Sequence, residues 1–136
     1  MVDQNLSAPL SEAAAEEFGR AWAGHWNSGD IEAVLAHFAE DCVFESPLAE
    51  KHAGTTRLRG KPALRAYWRE ALSAIGTVHF TVQFVAVSTA QRAIAIVYCA
   101  RLGERYLHAC ERLIFNPSGQ VVAGMGLYGP KVLSEV

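Results

Sequence analysis

Between Ser11 and Ser28 the apolar residues Ala14, Phe18, Ala21, Trp22 and Trp26 recur at the spacing of one helical face. Ser11 supplies a capping hydroxyl, Glu12, Glu16 and Glu17 sit near the positive end, and Gly29 supplies a left-handed stop. Asp30 then caps a short second helix with the stripe Ile31, Val34, Leu35 and Phe38, and the two helices are expected to pack as a hairpin. Cys42–Ser46 reads as a strand ended by Pro47, because proline cannot donate to a ladder. Residues 48 to 59 carry neither period and read as a loop, either a lid over a site or an exposed connection. Gly60-Lys61-Pro62 opens a third helix whose buried stripe is Leu64, Tyr67, Trp68, Ala71, Leu72 and Ile75, and Gly76 closes it.

Four strand-like runs follow: 78 to 87, 92 to 101, 105 to 115 and 120 to 128. The breaks between them are too short for parallel crossovers, so antiparallel hairpins are predicted. The order ααβαββββ makes the chain α+β, with three helices covering one face of a curved antiparallel sheet. Residues 1–10 are expected to form a flexible N-terminus, 11–130 a single domain and 131–136 a tail.

Composition narrows the function classes without naming one. A 136-residue chain that is 51% apolar and 19% charged suits one packed domain. A net charge of -2 offers no basic field for nucleic acid. Cys42, Cys99 and Cys110 are too few and too scattered for a disulfide scaffold. Neither a signal sequence nor a membrane-spanning run is readable, which predicts a cytoplasmic protein with no membrane partner. The five histidines show no paired ligand spacing and no glycine-rich phosphate loop follows a strand, so neither a metal nor another cofactor is expected.

Candidate chemistry centres on Glu111. It is the one charge in the file Leu107, Ala109, Glu111, Leu113 and Phe115, which alternation puts on one sheet face. A two-residue turn between Leu102 and Arg105 would set Ile96 opposite Glu111 and Tyr98 diagonal to it, within reach of a phenol-to-carboxylate hydrogen bond. Pairing Phe115 with Gln120 would put Gly124 opposite and Gly126 diagonal, leaving space beside the acid. Burial predicts a modestly raised pKa, held down by the Tyr98 hydrogen bond. The competing reading is a flipped register that leaves Glu111 on the surface beside Arg101 or Arg112. Trp22, Trp26 and Trp68 read as core or pocket wall, Ser46 as at most a ligand contact, and His79 as exposed or facing a second copy. The opposite face, with Tyr106, Cys110 and Ile114, is apolar enough to predict a homodimer.

Trp22 to Trp26 with Gly29-Asp30, the run Phe38-Ala39-Glu40-Asp41-Cys42-Val43-Phe44-Glu45-Ser46-Pro47, and Leu58-Arg59-Gly60-Lys61-Pro62-Ala63-Leu64 resemble the SnoaL-like branch of the nuclear transport factor 2 (NTF2-like) superfamily. The segments Phe115–Val122 and Leu127-Tyr128-Gly129 resemble it as well, so the likeness runs over roughly residues 11 to 130. The resemblance implies a cone-shaped α+β barrel, a deep pocket between sheet and helices, and frequent homodimers. It spans isomerases, polyketide cyclases, dehydratases, epoxide hydrolases and binding proteins, so it fixes no reaction. The general-base aspartate of ketosteroid isomerases falls on Ser46, their oxyanion tyrosine on Trp22 and their second oxyanion acid on Glu111. A hydroxyl cannot replace that base, which tells against steroid isomerisation by that route. Two functions stay open. One is a cofactor-independent isomerase, cyclase or dehydratase with Glu111 and Tyr98 catalytic and Trp22, Ser46, Trp68, Gly124, Gly126 and Tyr128 shaping a pocket for a small apolar carbonyl compound. The other is a non-catalytic ligand-binding or dimerisation module.

Overall fold

The computed structural model describes residues 8–133; residues 1–7 of the expected flexible N-terminus and 134–136 of the expected tail lie outside them. The chain runs α1 (Glu12–Asn27), α2 (Ile31–Leu35), β1 (Phe38–Glu45), α3 (Ala49–Ala53), β2 (Arg57–Arg59), α4 (Lys61–Ile75), β3 (Val78–Ser88), β4 (Ala93–Leu102), β5 (Arg105–Phe115) and β6 (Val121–Lys131). The α+β class and the helices α1, α2 and α4 follow the sequence pattern, and both early caps form. Ser11 Oγ accepts from the Ala14 amide at 3.1 Å and Asp30 Oδ1 from the Ala33 amide at 3.1 Å. Among the described residues no helix is long and apolar enough to cross a membrane.

Three features differ from expectation. Residues 48 to 59 are not an irregular loop: they hold α3 and β2, elements of 5 and 3 residues that bury only Ala49 and only Leu58 respectively and so carry no apolar stripe. Ala49 at 0% exposure and His52, whose ring stands 6.0 Å from that of Tyr67, seat α3 on α4. The first strand begins at Phe38 instead of Cys42. Its register against β6 shifts between Phe38 and Val43, which breaks the alternation that would have marked the longer strand. The sheet, ordered β2-β1-β6-β5-β4-β3, is therefore mixed: β1 lies parallel to β6, while every other pair is antiparallel.

Two bulges decide which side chains face the helices. In β3 the register slips between Val82 and Phe84, so Phe80 and Val82 face inward before it and Val85 after it. Phe84 is thereby turned out at 54% exposure, although simple alternation would have kept it with Phe80. His79, exposed, lies on the outer face. Between β5 and β6, Phe115 pairs with Val121 instead of Gln120, and a second slip follows before Ile114 and Ala123. Two one-residue shifts preserve parity but move partners: Gly126, not Gly124, stands opposite Glu111.

Helix α1 lies on β3 at close range. A Cβ at Gly19 would come within 2.7 Å of Val85 Cγ2, so the glycine permits the approach. At the end of α1, Asn27 accepts from the Phe80 amide at 2.7 Å and donates to its carbonyl at 3.0 Å. Across the helices, Glu32 of α2 accepts from Arg65 Nε at 2.7 Å and from Arg69 at 3.1 Å, tying α2 to α4. The space enclosed by α1, α4 and the inner sheet face is where the site lies.

Candidate functional site

The inner face and the two long helices enclose a cavity of about 50 Å³. Its walls are aromatic: Trp22 and Trp26 from α1, Trp68 from α4, Phe44 from β1 and Phe80 from β3. Trp26 meets Trp68 edge-to-face with ring centroids 5.0 Å apart, Phe44 meets Trp68 the same way at 5.5 Å, and Trp22 stacks on Phe80 at 5.2 Å. These interlocked rings fix the cavity's shape. Half-buried Ala71, Leu72, Ile75 and Val78 cluster where α4 hands over to β3, forming an apolar mouth.

Polar groups gather at the opposite end. Glu111 is 4% exposed and is the only carboxyl, with no basic side chain beside it, among the described residues of the wall. Burial alone lifts its carboxyl from the usual carboxylate range to about 8, so it carries its proton at neutral pH. Ser46, 3% exposed, and the phenols of Tyr67, Tyr98 and Tyr128 line the same end. Burial raises all three phenols, and a charge on Glu111 would raise them further. Tyr98 lies diagonal to Glu111, because Ile96 is Glu111's direct partner on β4. Its phenol lies beside that of Tyr128, and no hydrogen bond from it lowers the Glu111 carboxyl. The expected Tyr98 hydrogen bond that would have held the acid down does not form among the described residues, and the rise is larger than modest.

Two indole donors complete the inventory. Trp22 Nε1 and Trp26 Nε1 are buried with no hydrogen-bond partner, an unusual state for an N–H group. Among the described residues no cluster of three or more His, Cys, Asp or Glu side chains has the arrangement of a metal site. The arrangement can therefore offer donors, one protonated carboxyl and an apolar surround.

A family model for the SnoaL-like domain matches residues 19–125. The chain belongs to the SnoaL-like domain family. A SnoaL-like protein of unknown function from Burkholderia thailandensis is 35% identical, with a TM-score of 0.80 over 90% of this chain and 99% of that one. More distant structures share the fold. SalBIII, an epoxide hydrolase/cyclase-like enzyme of pyran ring formation in salinomycin, is 16% identical with a TM-score of 0.67, covering 88% of this chain and 93% of that one. A protein with a ketosteroid isomerase-like fold from Catenulispora acidiphila, in complex with trimethylamine, is 18% identical with a TM-score of 0.64, covering 83% and 85%. No curated protein matches the sequence.

In this SnoaL-like domain the structure brings six of the eight candidate residues, Glu111, Tyr98, Trp22, Ser46, Trp68 and Tyr128, into one cavity wall. The two glycines stand elsewhere. Gly124 lies under Phe44, where an added Cβ would be 2.8 Å from Cδ1, so it serves packing. Gly126 lines a neighbouring groove beside Glu111 and Ser46. Tyr67 was missed as a site residue; its signal was a phenol within a buried helical stripe, a position where the hydroxyl needs polar company.

Proposed function

We propose that this SnoaL-like domain is a cofactor-independent acid/base enzyme acting on a small apolar carbonyl compound, with Glu111 as the proton-moving group. The observation that carries the reading is a single carboxyl, buried in an aromatic cavity with no basic side chain in its wall, where burial favours the protonated form. A carboxylic acid with a pKa near ambient pH can donate to a carbonyl oxygen and take a proton back with little cost in either direction. Tyr98, Tyr128 and Ser46 surround the acid, and the unpartnered indoles of Trp22 and Trp26 supply donors suited to a ligand oxygen. Enolisation, and the isomerisation, cyclisation or dehydration that proceeds through an enol, is the reaction class this set supports.

Size restricts the ligand. Pockets for drug-sized molecules run from about 300 to 1,000 Å³. A cavity of about 50 Å³ takes only a small ligand with the walls as they stand. The second reading, a binding module without turnover, is favoured by Ser46 standing where ketosteroid isomerases carry their base.

The test needs no natural substrate. Small cyclic ketones in deuterated water are incubated with wild type and Glu111→Gln, and exchange of the α-hydrogens is followed by proton NMR. Exchange above buffer, reduced by about 10²-fold or more in Glu111→Gln, is the expected outcome. Ketones that bind without exchanging in the wild type would establish the binding module instead.

A further inference from the structure

Strand β6 outruns β1. Their parallel pairing stops at Glu45 and Met125, Pro47 follows, and β6 continues to Lys131. The step leaves an open groove bordered by Glu45, Thr56, Gly126 and Leu127, with Ser46 and Tyr128 at its inner side. Ser46 and Tyr128 also belong to the cavity wall, so these two hydroxyl-bearing side chains are all that the groove and the cavity have in common.

Gly126 stands at the same junction. Its φ is not among the positive values, so its backbone conformation does not call for glycine. Close packing does not call for it either. A Cβ there would lie 3.6 Å from Glu111 Oε1 and 3.7 Å from Ser46 Oγ, ordinary contact distances. What the glycine does is keep one methyl group's worth of space open between the acid, the Tyr128 ring, the serine hydroxyl and the groove.

We infer that the groove is a water and proton port to Glu111, separate from the apolar mouth formed by Ala71, Leu72, Ile75 and Val78. The inference rests on the reading of Glu111 as the proton-moving group. A ligand that fills the cavity occupies the mouth, and the acid then needs another route to exchange its proton with solvent. In the port the Glu111 O–H bond breaks as an O–H bond forms on a water beside Gly126. That water passes one of its own protons to the next water in the groove, so one proton reaches solvent and the carboxylate remains. The reverse sequence restores the acid.

The experiment is a rapid pH jump across the Glu111 titration midpoint, followed through the infrared carbonyl stretch of the protonated carboxyl and assigned with Glu111→Gln. Gly126→Ala fills the space beside Oε1. Thr56→Leu narrows the groove from an exposed position and leaves the inner packing untouched, and Ile75→Phe narrows the mouth. The port predicts deprotonation slowed roughly tenfold in Gly126→Ala, slowed in Thr56→Leu, and unchanged in Ile75→Phe. Unchanged rates in both groove variants, slowing in Ile75→Phe alone, or equal slowing in all three would overturn it. The same traces give the midpoint: one in the ordinary carboxylate range overturns the acid reading, whereas a raised midpoint with unaltered rates overturns the port alone.

Discussion

A carboxyl held near 8 by burial makes Glu111 a stability determinant as well as a site residue. Its folded pKa lies above the unfolded value of 4.5, so between the two the native state keeps a proton that the unfolded chain has lost. The stabilisation from this group is full below the lower value, falls by up to about 1.4 kcal/mol per pH unit across the window, and stops changing above the upper one. Urea midpoints measured across this range should decline with rising pH in wild type relative to Glu111→Gln; parallel curves would refute the buried acid. Gly124 and Gly126 of β6 make a second contrast. Gly124→Ala drives a methyl against Phe44 and Leu113 at 2.8 and 3.2 Å, inside the core, and should cost about 1–3 kcal/mol. Gly126→Ala meets only ordinary contacts and should stay within about 1 kcal/mol of wild type in the same denaturation assay. Alternation placed both glycines on the acid's face, because two one-residue shifts cancel in parity. It could not tell them apart, because neither the bulge nor the ring above Gly124 is encoded in their own strand's pattern.

At the scale of elements, periodicity made the long helices and the four hairpin-linked strands legible, since each spans enough residues to repeat. Helix α3, strand β2 and the first residues of β1 stayed hidden for the opposite reason: the contacts that hold them, such as β2 on β1 and α3 on α4, are made with segments distant in sequence. The parallel joining of β1 to β6 is likewise a long-range event at the two ends of the sheet's chain path. The junction of α1 with β3 shows what such contacts do. Strand β3 is an edge of the sheet, and Asn27 occupies the free amide and carbonyl of Phe80, as a neighbouring strand would. Asn27→Ala leaves both groups without their partner beside Trp22 and Trp26. A loss of about 1–3 kcal/mol is expected, with faster hydrogen exchange at the Phe80 amide. Unaltered exchange there would mean that the clamp is not what holds the edge.

At the scale of the whole molecule, the face of the sheet turned away from the helices carries an apolar row across four strands. Phe84 pairs with Val97, Val97 with Cys110 and Cys110 with Leu127, and the row ends at 54% and 46% exposure in Phe84 and Leu127. The bulge in β3 creates this row by turning Phe84 outward, so the same irregularity that turns Val85 inward against Gly19 makes the other side apolar. Next to it, Arg112 buries its Nε without a partner, a donor that a facing surface could satisfy. Apolar rows of this extent on an open sheet favour burial against a second copy by a two-fold axis, which returns the row onto itself. A homodimer is therefore expected in sedimentation at tens of micromolar, where specific interfaces of ordinary size are populated. Phe84→Glu and Leu127→Lys place charges at either end of the row and should each convert dimer to monomer with unchanged circular dichroism. A wild-type chain that sediments as a monomer at that concentration would leave the row without a partner of its own kind. Monomers from the variants with cavity titration unaltered would show that the two faces of the sheet act independently, the inner one holding the acid and the outer one holding the assembly.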